Sequence, residues 1–282
     1  MLKTLKRMTC VTLSAGILAT GLAVPHEAQA VGSHYYNGMH EPSQSTGYEK
    51  ARKISNNNIS MERFKYNKKT NYRAVGRVSN RDGWKGKGKD SMGTGFMIDD
   101  HTFLTNSHVV EDSSEKKTKP KHVKLQLRRD GKKIPYEFQA TKITKVPSYD
   151  IAVVNTKENM RKKADTKPLK LASDKKIKNL KYKDKLYSVG YAKLNGDNTK
   201  PYKNHLRYLQ HSSNQSELMT KDFFRSGDSG SPMINNGGEV FALRTYGYNL
   251  DGNAADKYGR AELAGGESIQ GKPKKTIRNH ME

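Results

Sequence analysis

The chain has 282 residues, 33% of them hydrophobic, and carries 52 Lys and Arg against 28 Asp and Glu, a formal charge of +24. Its one cysteine, Cys10, falls within the first thirty residues, so a chain trimmed there holds its fold without disulfides and has no thiolate for catalysis or metal binding. The remainder is long enough to bury a substantial core as one large β domain or two small ones.

Residues 1–30 open with Lys3, Lys6 and Arg7, run through an apolar stretch from Val11 to Val24 and close on Ala28-Gln29-Ala30. This pattern predicts a secretory signal peptide cleaved after Ala30, and an extracellular mature protein with no stable membrane insertion. Without the signal the balance is 49 basic against 27 acidic residues, a formal charge of +22. A field of that sign attracts anionic surfaces. The lysines are spread along the whole chain and lack aromatic interleaving, so no nucleic-acid partner is expected.

From 31 to 71 the chain is polar, with one short helix expected near Tyr48 to Ile54, and it reads as an N-terminal extension. After Tyr72 come short alternating or β-branched runs: "YRAVGRVS", "MGTGFMI", "TFLTN", "HVKLQLRR", "EFQATKITKV" and "IAVVN". A basic connector, "TKENMRKKADTKP", leads to "KLYSVGY", "HLRYLQHS", "SPMI", "EVFALRTYGY" and "YGRAEL". Two sets of about six short strands predict an all-β protein of two six-stranded antiparallel barrels, one over 72–160 and one over 161–282. A short C-terminal helix is expected after Pro273.

Three residues stand out for chemistry. His108 follows an apolar strand pair in "FLTNSHVV", Asp150 opens the apolar run in "YDIAVV", and Ser229 lies in the glycine-flanked "GDSGSP". Each alone is a common feature of β proteins. In the order His, Asp, Ser, divided between the two halves, they match a nucleophilic triad. A serine hydroxyl attacks a peptide carbonyl only when a base removes its proton and returns it to the leaving amine. His108 fits that role, Asp150 that of holding the imidazole, and Ser229 that of nucleophile.

These three motifs resemble those of the trypsin-like, chymotrypsin-fold serine proteases, most closely the secreted glutamyl endopeptidase and exfoliative toxin group, over about residues 72 to 265. The resemblance implies a secreted serine endopeptidase working through an acyl-enzyme, without metal or organic cofactor, with a narrow substrate range and a role in virulence. It also implies an oxyanion hole from the N–H groups of Gly227 and Ser229, and a substrate strand bound along Thr245, Tyr246 and Gly247. A monomer acting on protein or peptide substrates is expected.

The chain departs from that group at two places. Relatives that cleave after glutamate carry a threonine five residues before the nucleophile and a histidine fifteen after it; here Phe224 and Arg244 stand there. Phe223 and Phe224 suggest an apolar or filled wall, while an inward Arg244 would bind a substrate carboxylate. Asp228 replaces the usual asparagine; in the trypsin branch such an aspartate pairs with an amino group released by activation cleavage. Arg225 is expected to supply that charge here, with no cleavage beyond signal removal. The competing reading is a catalytically silent protease fold that binds partners through its basic surface.

Overall fold

The computed structural model describes residues 36–250 and 261–282. The signal-peptide reading therefore lies outside the described residues. So does the first half of "YGRAEL".

The extension is built onto the second half of the molecule. A 3₁₀ turn at Asn37–Met39 is followed by helix α1 (Ser43–Arg52), which starts five residues earlier than expected, and by strand β1 (Ser60–Arg63). Ala51 and Ile54 are buried against Leu209, Met219 and Leu263 of the second half, which fixes α1.

Strands β2 (Val75–Arg81), β3 (Asp90–Met97), β4 (Thr102–Thr105), β5 (Val123–Leu127), β6 (Tyr136–Lys145) and β7 (Ala152–Thr156) close into an antiparallel barrel in the order β2-β3-β4-β7-β6-β5. Val78, Met97, Phe103, Leu125, Phe138 and Val154 share one face of this sheet by register and fill the barrel. Closure leaves no open sheet edge, and inward apolar residues from every strand supply the core.

The connector is partly helical: α2 (Met160–Ala164) is capped by Asn159, whose side chain accepts from Lys162 N at 2.8 Å, and stopped by Asp165 in the left-handed region at φ 45°. A short strand β8 (Lys170–Leu171) and helix α3 (Asp174–Lys178) lead into the second barrel. There β9 (Lys185–Gly190), β10 (Tyr202–His211), β11 (Glu217–Phe224), β12 (Pro232–Ile234), β13 (Glu239–Tyr248) and β14 (Ala261–Ser268) follow the order β10-β11-β14-β13-β12-β9, and β9 returns to β10 to close the ring. β1 extends β10, and β8 runs parallel beside β13.

The two closed six-stranded barrels and the C-terminal helix are those the sequence predicts. β11 is the strand the sequence pattern hides, because Thr220, Lys221 and Asp222 break its apolar texture; all three are buried through polar contacts. Helix α4 (Lys272–Asn279) takes Pro273 into its first turn rather than following it. Its Ile277 joins the core cluster that includes the first barrel, and Asn155 Nδ2 donates to His280 O at 3.0 Å. Val189, Ile234, Val240, Leu243 and Ile269 of the second barrel belong to that same cluster, so apolar packing is continuous between the halves.

Candidate active site

β4 delivers His108 to the seam between the barrels. Its turn, His108–Val110, is pinned by the buried Val109 and Val110 and by Ser107 Oγ, which donates to Ile151 O at 3.0 Å. Asp150 lies at the end of the β6–β7 turn, fully buried. Its Oδ1 accepts from His108 N at 3.0 Å and its Oδ2 from His108 Nδ1 at 2.6 Å. Because a carboxylate only accepts, Nδ1 carries a proton, and in the neutral ring Nε2 is the basic nitrogen. Burial disfavours the imidazolium, but the Asp150 charge and hydrogen bond outweigh it, and the His108 pKa lies above its ordinary 6.5.

Ser229 sits on a turn seated against the first barrel. Thr94 N donates to Ser229 O at 2.8 Å, and Thr94 Oγ1 donates to Gly227 O at 2.8 Å. Gly227 and Gly230 have φ of 92° and 84°. A methyl group on them would lie 2.3 Å from Tyr191 O and 2.1 Å from Thr94 O, so only glycine fits either place.

The Ser226 carbonyl is taken by Lys193 N at 2.7 Å. Since C=O and N–H of a trans peptide point in opposite directions, the Gly227 N–H faces away from that contact. Among the described residues neither Gly227 N nor Ser229 N donates a hydrogen bond. Ser229 Oγ is turned to Thr245 O at 3.4 Å, and no hydrogen bond joins it to His108.

Arg244 is placed otherwise than expected. Its side chain is fully buried, with Nη2 2.8 Å from Asp222 Oδ1 and Nη1 3.3 Å from Asp228 Oδ1. Nη2 also donates to Phe223 O at 3.1 Å, and the guanidinium stacks over the Phe224 ring at 5.2 Å. Both fork arms are thus committed to the protein's own carboxylates. Asp228, pushed up to about 6 by burial against the Arg244 charge, also accepts from Arg225 N at 3.0 Å. Arg244 makes the salt bridge to Asp228, and the Arg225 charge expected from the sequence adds to it from nearby. Phe224 is buried against Ala264.

β13 carries Thr245, Tyr246 and Gly247 past the serine. Pairing with β12 ends at Leu243; from 245 to 248 the only strand partner among the described residues is β14, which leaves one edge of β13 open. Asn106 Nδ2 donates to Asp150 O at 2.6 Å and to Thr245 Oγ1 at 3.0 Å, tying the histidine and aspartate segments to β13. Thr94, Asn106 and Asp222 went unremarked in the sequence. Asn106, two residues before His108 in the same motif, was the one with a local signal.

Two six-stranded antiparallel barrels, with a histidine–aspartate pair on the first and a glycine-flanked serine turn on the second, define the two-barrel serine peptidase class. The family model for the trypsin-like peptidase domain matches residues 93–243, and the chain belongs to that family. Similar solved structures include a Glu endopeptidase in complex with MPD, at 17% identity and TM-score 0.59 over 78% of this chain and 95% of that one. The protease Anisep from Arthrobacter nicotinovorans is 13% identical, with TM-score 0.57 over 78% and 98% of the two chains. A thermostable serine protease, AL20, from an extremophilic microorganism is 14% identical, with TM-score 0.56 over 74% and 96%. At these identities the likeness is one of fold. No curated protein matches the chain.

Proposed function

We propose that this protein is an exported serine endopeptidase in which His108, Asp150 and Ser229 form the catalytic triad. The observation that carries the reading is the doubly bonded His108–Asp150 pair beside a serine turn whose Gly227 and Ser229 amides have no hydrogen-bond partner among the described residues. A turn about χ1 takes Ser229 Oγ from Thr245 O toward Nε2, the basic nitrogen. His108 removes the hydroxyl proton as Oγ attacks the carbonyl. The two amides receive the oxyanion, each such donor being worth roughly 3 kcal/mol in the transition state. Asp150 holds the ring and balances its positive charge, and His108 then protonates the leaving amine. Water repeats the sequence on the acyl-enzyme.

Asp228 has a cation in Arg244, so the serine turn needs no new α-amino group to hold it, and no cleavage beyond signal removal is required for activity. Because Arg244 is committed internally, a glutamate side chain has no cation there to meet. Phe224 and Ala264 form an apolar wall, and cleavage after uncharged residues is the consequence. The narrow, exfoliative-toxin-like range belongs to this proposal as its substrate side. Sequencing the products of a denatured-proteome digest tests it: cuts confined to glutamate would overturn the apolar wall, and indiscriminate cuts the narrow range.

A fluorophosphonate probe tests the chemistry. It is expected to label the wild-type protein at Ser229 and not the Ser229→Ala variant, which should keep its fold and lose about six orders of magnitude in turnover. A folded wild-type protein that takes no label would leave the fold as a silent binding scaffold.

A further inference from the structure

The most unusual chemistry outside the triad is a pair of buried carboxyls behind β13. Glu217 on β11 and Glu267 on β14 stand directly opposite each other in register, with relative exposures of 0% and 1%. Directly opposed residues share one face of the sheet with their Cβ atoms about 5 Å apart, and two like charges there are unfavourable. Burial is the main force pushing both carboxyls above the ordinary range. A buried carboxylate needs hydrogen-bond donors to stay ionised, and of the two it is Glu217 that has them among the described residues.

Glu217 is satisfied by the N-terminal extension. Its Oε1 accepts from Asn37 N at 2.5 Å and its Oε2 from Gly38 N at 2.8 Å, and the Tyr246 hydroxyl donates to the same carboxylate. Asn37 Nδ2 adds a bond to Ser216 Oγ at 2.7 Å. Tyr36 lies edge-on against Tyr246 with ring centroids 5.1 Å apart, and the Tyr248 ring lies 6.0 Å from that of Tyr246. A methyl group at Gly38 or at Gly265 would lie 2.2 Å from Tyr246 Oη, so the tyrosine tip is gripped between the turn and β14. Tyr246 itself is one residue beyond Thr245, whose carbonyl faces Ser229 Oγ, on the stretch of β13 with the open edge.

We propose that the turn at Asn37–Met39, with Tyr36 before it, is a wall of the substrate groove. Tied down by the Glu217 carboxylate and laid against Tyr246, it shapes a subsite for an apolar or aromatic side chain of a polypeptide substrate. A strand added to β13 rises about 3.3 Å per residue, so Tyr248, three residues past Thr245, serves a substrate side chain about three residues from the scissile bond. The surface offered there is apolar: Met39 and Tyr248 are partly exposed and pack on the Tyr36–Tyr246 pair. The inference rests on the proteolytic reading of the site and adds to it a determinant contributed from some 190 residues upstream of the serine.

The experiment compares a hexapeptide bearing Phe three residues from the scissile bond, the same peptide with Asp there, and a truncated peptide lacking that position. Wild type is expected to prefer the Phe peptide. In Tyr36→Ala the ratio of kcat/KM for the Phe peptide to that for the truncated one should fall about 10- to 100-fold, mostly through KM. Glu217→Gln should move it the same way, and Tyr36→Phe should restore it. A folded Tyr36→Ala protein with an unchanged ratio overturns the proposal. So does a wild-type protein indifferent to Phe, Asp or truncation, a measurement that needs no variant. Fluorophosphonate labelling of the same wild-type sample separates the failures: labelled protein without the preference refutes the subsite alone, and unlabelled protein refutes the enzyme reading and the subsite with it.

Discussion

His108 shows how a few contacts set a chemical property. Burial alone would make it a weaker base than free histidine, and the Asp150 carboxylate reverses that. A triad histidine must be neutral to accept the serine proton, so activity should rise with pH through its pKa, with the acid limb above 6.5. In Asp150→Asn the charge is gone while burial stays, so the limb should move to lower pH and kcat should fall by about four orders of magnitude. Profiles of kcat/KM against pH for the two proteins measure the shift; a limb that stays in place would show that Asp150 does not govern this imidazole. The His108–Asp150 pair and the serine turn on which the proposed triad rests are legible in the sequence, because each lies in a short contiguous motif with its own backbone requirement. Arg244 was misjudged for a matching reason: its acidic partner Asp222 is 22 residues away on β11, and nothing local announces the pair.

At the scale of elements, β11 and β13 are joined by charge as well as by apolar packing. Arg244 on β13 spans Asp222 on β11 and Asp228 on the serine turn, all without exposure. Removing one member of such a group strands the others in a low-dielectric interior, typically at 3 to 5 kcal/mol. Arg244→Leu is therefore expected to lose about 3 to 5 kcal/mol in urea unfolding and to disorder the serine turn. A variant of wild-type stability would mean that the two aspartates are neutral or hydrated, and the bridging role would fall. The polar centre of β11 that makes this network possible is also what hid the strand from pattern reading. Period-two alternation marks strands with one wet face, and β11 is buried through most of its length.

For the whole molecule, the sequence yielded the number of barrels and their division, since turns punctuate short strands at regular intervals. It did not yield the course of the extension. Asn37 and Glu217 are 180 residues apart, and polar composition alone leaves open whether the extension packs on the main domain or stays mobile. What anchors the arm is a buried carboxyl on a strand the pattern missed, so the two omissions have one cause.

The two ends of the described chain lie across the boundary between the halves. The turn at 37–39 and α1 complete the second barrel, while α4, which follows that barrel in sequence, packs Ile277 among the core residues of the first. A gene divided at the connector would give two fragments, each still bearing a flap that belongs to the other and each missing its own. The chain is thus laced at both ends, and the seam that holds His108, Asp150 and Ser229 is stitched by segments far from it in sequence.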